Sequence, residues 1–209
     1  MKKYWIALLI TILMVFFSYI FSYGQENEDI LKEMTKSSVS IFSLGSEGLG
    51  RCSGVLIDSK YGLNTILTAK HCIDTYEETY VDGKQVNLVM ASKNDDLAIL
   101  LVNGNFTNKQ PAKIAKALNY EEPIYIVGYP DKNIYLDVGT LYLRTNDWEF
   151  LNLYAKPGCS GGGVFNSKNE LVGILWGGLS MEDTAIIEPL SDIKQFLKEI
   201  KLYTKWMNL

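Results

Sequence analysis

The chain has 209 residues, of which 47 % are hydrophobic and 21 % are charged, and its 20 basic and 24 acidic side chains give a formal charge of −4. These fractions exclude a disordered chain, which would lack the apolar residues for a core, and a protein that crosses a membrane many times. The acidic balance argues against a nucleic-acid partner, because such proteins need a basic surface.

The first 24 residues are predicted to be a secretory signal peptide. The basic pair Lys2-Lys3 precedes an uncharged run, the first acid is Glu26, and Ser22-Tyr23-Gly24 supplies the small residues of a cleavage site. An uncleaved membrane anchor formed by residues 4–23 is the alternative, because a stretch of this length can span a bilayer. Either interpretation places the single domain, residues 25–209, outside the cytoplasm, with membrane contact only through an uncleaved N-terminal segment.

The remainder of the chain is predicted to be rich in β-strands. Short runs of valine, isoleucine and leucine are separated by turn-forming residues such as Asp82-Gly83 and Asn103-Gly104. The predicted strands form two groups: 39–44, 52–58, 63–69, 85–91 and 96–102, then 124–128, 134–144, 149–154, 171–176 and 184–188. Two groups of closely spaced strands in a chain of this length favour paired barrels or a sandwich over a βαβ fold.

Two segments are predicted to be helical. The first is Glu28–Thr35, at the start of the mature chain, and the second is Asp192–Leu202, with Ser191 as its N-cap. The second helix has a regular apolar face, formed by Ile193, Phe196, Leu197 and Ile200.

The only histidine of the chain, His71, follows the predicted strand at 63–69. A lone histidine is more often structural than catalytic, but the end of a strand is a place from which a rigid scaffold can aim an imidazole.

The segment Pro157–Gly163 places Ser160 among glycines. A simple glycine-rich turn is one interpretation. The other is a nucleophile on a tight loop, with the N–H groups of Gly158 and Ser160 directed at the oxyanion that its attack creates. The segment also matches the Gly-x-Ser-x-Gly pattern of α/β-hydrolases, but that fold needs its histidine after the serine, and His71 precedes it.

An acid pair, Asp95-Asp96, leads into the predicted strand at 96–102. A carboxylate at a strand start can accept the N–H of an imidazole and fix its orientation. Because alternate residues of a strand face opposite sides, only one of the two acids can face His71, and we predict Asp96, with Asp95 as the fallback. Asp74, three residues after His71, is a weaker rival.

Three segments together resemble the signature segments of trypsin/chymotrypsin-like serine peptidases: Thr68–Cys72, Asp96–Leu100 and Gly158–Gly162, in this order and at similar spacing. The resemblance covers nearly all of Val39–Leu202. It implies an all-β fold of two antiparallel six-stranded β-barrels with a C-terminal helix, and a catalytic triad of His71, Asp96 and Ser160 between the barrels. Within the family, the chain is similar to bacterial HtrA-like peptidases, without the PDZ domain that usually follows.

The resemblance also implies substrate-binding residues. The segment Leu175–Gly178 resembles the one that pairs with the substrate backbone, which assigns Trp176 and Gly177 to the cleft. The pocket floor would be Tyr154, six residues before the serine, and its lack of charge predicts cleavage after small or medium apolar residues. Glutamate-specific relatives use a pocket histidine, whereas the one histidine of this chain is assigned to the triad.

The three cysteines have different predicted roles. Cys52 and Cys72 resemble the family's disulfide beside the catalytic histidine, with two buried thiols as the alternative. Cys159 stands where digestive members have an aspartate that pairs with a new N-terminus, so activation of that kind is not expected, and we predict a buried, inert thiol. A zinc site of Cys52, His71, Cys72 and Cys159 lacks any Cys-x-x-Cys pair and would take the base from the triad, so no metal is predicted.

The sequence therefore predicts an exported serine endopeptidase that acts on polypeptides through an acyl-enzyme, without a cofactor. Two alternatives remain: a catalytically silent binding or scaffolding protein on the same fold, and an esterase that acts on small non-peptide esters.

Overall fold

The computed structural model describes residues 11–14, 16, 31–46, 48–145, 147–179 and 183–206, with side chains to residue 201. The chain divides into two compact units, Met1–Glu33 and Met34–Leu209. In the first unit, residues 11–14 and 16 are helical, and the rest of the predicted signal peptide lies outside the described residues. No helix among the described residues has the length and hydropathy to cross a membrane.

The first sheet of the second unit contains seven antiparallel strands among the described residues. They are β1 (Ser38–Gly45), β2 (Gly48–Lys60), β3 (Leu63–Ala69), β4 (Glu78–Val81), β5 (Lys84–Gln85), β6 (Leu88–Ala91) and β7 (Leu97–Asn103). The spatial order is β5-β4-β1-β2-β3-β7-β6. A tight turn of Tyr61 and Gly62, both with positive φ, joins β2 to β3 and sets the register of this hairpin.

The second sheet contains eight strands among the described residues. They are β8 (Lys113–Ile114), β9 (Ile124–Gly128), β10 (Tyr135–Gly139), β11 (Leu141–Arg144), β12 (Glu149–Leu151), β13 (Gly163–Asn166), β14 (Glu170–Leu179) and β15 (Thr184–Pro189). Seven strands follow the order β10-β9-β13-β14-β15-β12-β11, and β8 pairs with β14 in parallel.

Each curled sheet encloses its own apolar core, as alternation of inward and outward side chains predicts. The first core includes Val39, Ile41, Leu56, Ile66, Leu100 and Val102. The second includes Ile124, Ile126, Leu151, Val164, Val172, Leu175 and Ile187. The site described below is built where these two cores meet.

The C-terminal helix, Leu190–Trp206, begins directly after β15. Its predicted apolar face is confirmed, since Ile193 and Phe196 are buried. Ser191 lies in the first turn of the helix instead of preceding it, and its hydroxyl donates to the carboxylate of Asp192 at 2.9 Å. The predicted N-cap is therefore wrong, because Leu190 already takes part in the helix.

The all-β class and the C-terminal helix are confirmed. The sheets have seven and eight strands among the described residues, more than the six each that the resemblance implied. The predicted strand at 149–154 ends at Leu151. For the predicted N-terminal helix, residues 31–37 are helical and residues 28–30 lie outside the described part of the chain.

Candidate active site

His71 lies at the point where the first sheet meets the cleft. Strand β3 ends at the buried Ala69, and a single 3-10 turn, Lys70–Cys72, carries the imidazole out of the sheet. The N–H of Lys70 donates to the main-chain carbonyl of Asp96 at 3.0 Å, which fixes the turn against the start of β7. The side chain of His71 remains 43 % exposed, so one face of the ring is open to a ligand.

The carboxylate of Asp96 binds His71 at two points. Oδ2 lies 2.5 Å from Nδ1 of the imidazole, and Oδ1 accepts the main-chain N–H of His71 at 2.8 Å. The side chain of Asp96 is only 17 % exposed. This pair of contacts fixes the ring orientation and engages Nδ1, so the free ring nitrogen is Nε2.

The other two candidate acids are directed elsewhere. Asp95 accepts a hydrogen bond from the hydroxyl of Ser92 at 3.0 Å and returns its own N–H to that hydroxyl at 3.2 Å. Asp74 is exposed and lines the same cleft as Asp96. Among the described residues, Asp96 is the only carboxylate bound to the imidazole.

The loop that carries Ser160 owes its shape to two glycines in the left-handed region, Gly158 at φ +92° and Gly161 at φ +78°. The N–H of Gly161 donates to the carbonyl of Leu175 at 2.7 Å, which ties the loop to β14. A Cβ on Gly161 would come within 2.1 Å of Oγ1 of Thr68 and 3.0 Å of the nitrogen of Ala69. The loop therefore packs directly against the end of β3, which leads to His71.

Ser53, fully buried in β2, holds this loop from the first sheet. Its N–H donates to the carbonyl of Ser160 at 2.8 Å, and its hydroxyl donates to the carbonyl of Gly158 at 2.9 Å. The same hydroxyl accepts the N–H of Tyr129 at 2.8 Å, and the main-chain carbonyl of Ser53 accepts the hydroxyl of Thr68 at 2.7 Å. One serine thus connects both sheets to the loop, a feature that the sequence analysis missed.

The two N–H groups predicted to form an oxyanion hole are those of Gly158 and Ser160. Among the described residues, neither group donates a hydrogen bond to the protein, whereas the N–H of Cys159 between them donates to the carbonyl of Lys156 at 3.0 Å. Two donors on a rigid loop are thus left for a ligand, as stabilisation of an oxyanion requires.

Cys52 and Cys72 form a disulfide, with an Sγ–Sγ distance of 2.07 Å. The sulfurs lie within 4.8 Å of a nitrogen of His71, but a sulfur bonded to sulfur has no thiolate to offer a metal. Sγ of Cys72 also lies 3.6 Å from the carbonyl oxygen of Ser160, which places Ser160 next to the His71 turn. Cys159 is a free thiol, 1 % exposed, and burial raises its pKa to about 12.

Aromatic side chains line the cleft beside the imidazole. The ring of Trp176 lies 6.2 Å from that of His71 and 5.4 Å from that of Trp148, both edge-on. A Cβ on Gly177 would meet no atom within 4 Å, so its backbone faces open space. Tyr154 is 41 % exposed, more than expected of a pocket floor, and its N–H donates to Asp137 at 3.1 Å.

A further acid, Glu188 of β15, lies behind Asp96 and was missed from the sequence. Its side chain is 2 % exposed, and Oε1 accepts the main-chain N–H of Asp96 at 3.1 Å. Burial raises the pKa of Glu188 to about 7, against the lowering effect of this hydrogen bond, and the charges of Asp96, Asp95 and Asp192 raise it further. The sequence signal was an acid inside an apolar strand, Thr184–Pro189.

Comparison with known proteins agrees with this geometry. The family described as "Trypsin-like peptidase domain" matches residues 52–174, more than half of the chain. Glutamyl endopeptidases of Staphylococcus aureus strains MW2 and MSSA476 are each 28 % identical over 177 residues, covering 70 % of this chain and 53 % and 52 % of the relatives. The chain thus spans about half the length of these curated relatives.

The fold is also found among solved structures. A serine endoprotease from Yersinia pestis superposes with a TM-score of 0.71 at 21 % identity, covering 82 % of this chain and 65 % of the other. At this identity the likeness concerns the fold.

Proposed function

Because this chain belongs to the trypsin-like peptidase family, we propose that it is a serine endopeptidase in which Ser160 is the nucleophile, His71 the general base and Asp96 the residue that orients the base. The observation that carries the proposal is the double contact of Asp96 with His71, next to a glycine loop whose N–H donors at Gly158 and Ser160 are free. These features are the parts that acyl transfer needs.

In the proposed acylation step, Oγ of Ser160 attacks the carbonyl carbon of a peptide bond. Nε2 of His71 takes the hydroxyl proton, because Nδ1 is engaged by Asp96. Asp96 stabilises the imidazolium without taking its proton. The negative oxygen of the tetrahedral intermediate accepts hydrogen bonds from the N–H groups of Gly158 and Ser160.

The intermediate collapses when the carbon–nitrogen bond breaks and His71 gives its proton to the leaving amine. A water molecule then attacks the acyl carbon while His71 takes one of its protons. His71 gives that proton to Oγ of Ser160 as the bond between Oγ and the acyl carbon breaks, which restores the hydroxyl and releases the carboxylic acid. Every proton transferred passes through Nε2, so the chain needs no further titrating group for the reaction.

We place this reaction outside the cytoplasm. The Cys52–Cys72 disulfide supports the placement, because such bonds persist in oxidising compartments. The signal peptide at residues 1–24 and the peptidase domain at 25–209 remain predictions, and so does the alternative anchor at residues 4–23. N-terminal sequencing of the exported protein decides between a cleaved signal peptide and an uncleaved anchor, since a cleaved chain begins at Gln25.

The proposed specificity is cleavage after small or medium apolar residues. Tyr154 brings no charge to the loop before Ser160, and the ring of Trp176, which packs against Trp148, lies beside the imidazole. The curated relatives are named glutamyl endopeptidases, so an acidic preference is the competing result. A peptide-library profile separates the two outcomes, and dominance of glutamate, arginine or lysine at the cleaved position would refute ours.

Labelling with a fluorophosphonate tests the nucleophile. The probe should modify wild type and Cys159→Ala but not Ser160→Ala, and Ser160→Ala should lose about 10⁴-fold or more of casein hydrolysis. Cys159→Ala is the matched control, since its buried thiol is held in the protonated form. Inactivation by iodoacetamide together with an active Ser160→Ala variant would indicate a cysteine peptidase.

The same proteins also test the alternatives. A small ester cleaved without any casein cleavage would indicate an esterase. A wild-type protein that neither labels nor cleaves would indicate a silent binding protein on this fold.

A further inference from the structure

Glu188 connects the two sheets behind the proposed triad. It belongs to β15 of the second sheet, where it pairs with Ile174 of β14, and yet its carboxylate accepts the N–H of Asp96, directly before β7 of the first sheet. Its neighbour Ile187 packs into the core of the second sheet, so the side chain of Glu188 leaves the opposite face. The contact joins residues 92 positions apart in the sequence.

Asp96 is held at three points. Its N–H is bound by Glu188, its carbonyl accepts the N–H of Lys70, and its carboxylate binds His71. The first of these contacts comes from the second sheet, which also carries Ser160. Glu188 thus connects the orienting acid of one sheet to the sheet of the proposed nucleophile.

We propose that Glu188 is a positioning residue of the active site, which fixes the main chain of Asp96 and places a second negative charge behind the Asp96–His71 pair. The inference rests on the proposed function of His71 as the base. Because Glu188 touches Asp96 and not the reacting atoms, it acts through Asp96.

The surroundings of Glu188 decide what its charge does. Glu188 lines a cleft of about 470 Å³ together with seven other charged residues: Lys70, Asp74, Lys93, Asp95, Asp96, Asp147 and Asp192. Five of these are acids, and the two lysines lie on the His71 turn and on the loop before β7. A carboxylate added to this acidic cleft attracts positive charge at the imidazole, and because the side chain of His71 is 43 % exposed this attraction is screened by water.

The charge of Glu188 changes within the working range of an imidazole. Burial raises the pKa of Glu188 to about 7, so the group is protonated in mild acid and ionised above neutrality. A protonated carboxyl keeps a carbonyl oxygen that can accept the N–H of Asp96, so the positioning contact does not depend on the charge. The contact and the charge can therefore be removed separately.

Two variants make this separation. Glu188→Gln keeps an acceptor for the N–H of Asp96 and removes the charge, whereas Glu188→Leu removes both. Glu149→Gln is the matched control: Glu149 is equally buried on the neighbouring strand β12 and is paired with Arg144 at 2.6 Å. It removes a buried carboxylate from the same sheet without touching Asp96.

The titration of His71 is the readout that does not need catalysis. The full chain in a Ser160→Ala background is labelled with ¹³C-histidine, and the sole histidine gives one Cε1–H signal whose shift is followed with pH. We expect Glu188→Gln to lower the midpoint by about 0.5 pH unit and Glu149→Gln to leave it unchanged. Equal midpoints in wild type and Glu188→Gln would overturn the role of the charge.

Peptide hydrolysis is the second readout. We expect Glu188→Leu to lower kcat by about 10–100-fold with little change in KM, and Glu188→Gln to restore kcat to within about threefold of wild type. A kcat of Glu188→Leu within twofold of wild type would overturn the positioning role. If Glu188→Leu fails to fold, the Glu188→Gln titration still decides the proposal. If wild type hydrolyses no substrate, the proposed function fails, and the titration remains a separate test of Glu188.

Discussion

We expect Ser53→Ala to lower kcat, although Ser53 does not take part in the proposed reaction itself. Ser53 is fully buried, and its hydroxyl donates a hydrogen bond to the carbonyl of Gly158. This hydrogen bond fixes the peptide plane between Gly158 and Cys159, next to the proposed oxyanion donors. Without it, the carbonyl of Gly158 and the N–H of Tyr129 lose their shared partner. The loop can then rotate, which moves the N–H of Gly158 away from the oxyanion position.

The expected magnitude follows from these two hydrogen bonds. Each contributes about 1 kcal/mol, and each buried group left without a partner costs about 1–3 kcal/mol. We therefore expect Ser53→Ala to lower the free energy of unfolding by about 2–4 kcal/mol. Displacement of one oxyanion donor should lower kcat by about 10²-fold, with KM nearly unchanged, because the donor acts mainly in the transition state.

Urea denaturation followed by tryptophan fluorescence gives the stability, and peptide hydrolysis gives kcat and KM. Ser38→Ala is the control: Ser38 is also fully buried, in β1, and its hydroxyl donates to the carbonyl of Met34 at 3.1 Å, away from the loop. Ser38→Ala should lower the free energy of unfolding by about 1 kcal/mol and keep kcat within twofold of wild type. A Ser53→Ala variant with wild-type kcat would refute the argument that this hydroxyl maintains the loop.

Three further predictions concern the acids and the disulfide. Asp96→Asn should lower kcat by about 10⁴-fold and Asp95→Asn by less than threefold, and the opposite ranking would contradict the contacts of His71. Reduction of Cys52–Cys72, which are 20 residues apart, should lower the free energy of unfolding by about 3 kcal/mol; equal urea midpoints with and without reductant would argue against it. The pKa of Glu188 is about 7 in the folded state, above the ordinary 4.5, so the folded state binds this proton more tightly than the unfolded state does. The cost of ionising this buried acid is therefore absent below pH 4.5 and complete above pH 7. The stability of wild type should thus fall by up to about 3 kcal/mol relative to Glu188→Gln between these values, and parallel pH curves would refute it.

Strands rich in β-branched and apolar residues between clear turn signals were predicted best. The strands Leu63–Ala69 and Ile124–Gly128 were predicted with the bounds that the structure has, because both have this composition and lie next to turn-forming residues. Strand β13, Gly163–Asn166, was missed because its glycine belongs to the motif that was interpreted as a loop. The short β4, Glu78–Val81, lacks the apolar density that marks a strand and is formed by pairing with β1.

The choice between Asp95 and Asp96 shows where sequence reasoning is weak. Alternation along β7 carries little information, because Leu97 to Leu100 are all buried. What separates the two acids is a local contact, the hydroxyl of Ser92 that binds Asp95 and leaves Asp96 directed to His71. The roles of Ser53 and Glu188 could not be predicted, because each depends on a contact between sheets that are distant in sequence.

The proposed catalytic residues are divided between the two sheets: His71 and Asp96 belong to the first, and Ser160 to the second. The contacts of Ser53 with the Ser160 loop and of Glu188 with Asp96 cross the interface between the two sheets, here called the seam. The rate of hydrolysis therefore depends on how the two sheets are positioned relative to each other, whereas spectroscopic signals report whether the core of each sheet is folded. A small rotation along the seam would separate nucleophile from base with both cores still folded. In rising denaturant, turnover should consequently vanish before the fluorescence transition begins, and a substrate-like inhibitor that spans the seam should bring the two transitions together.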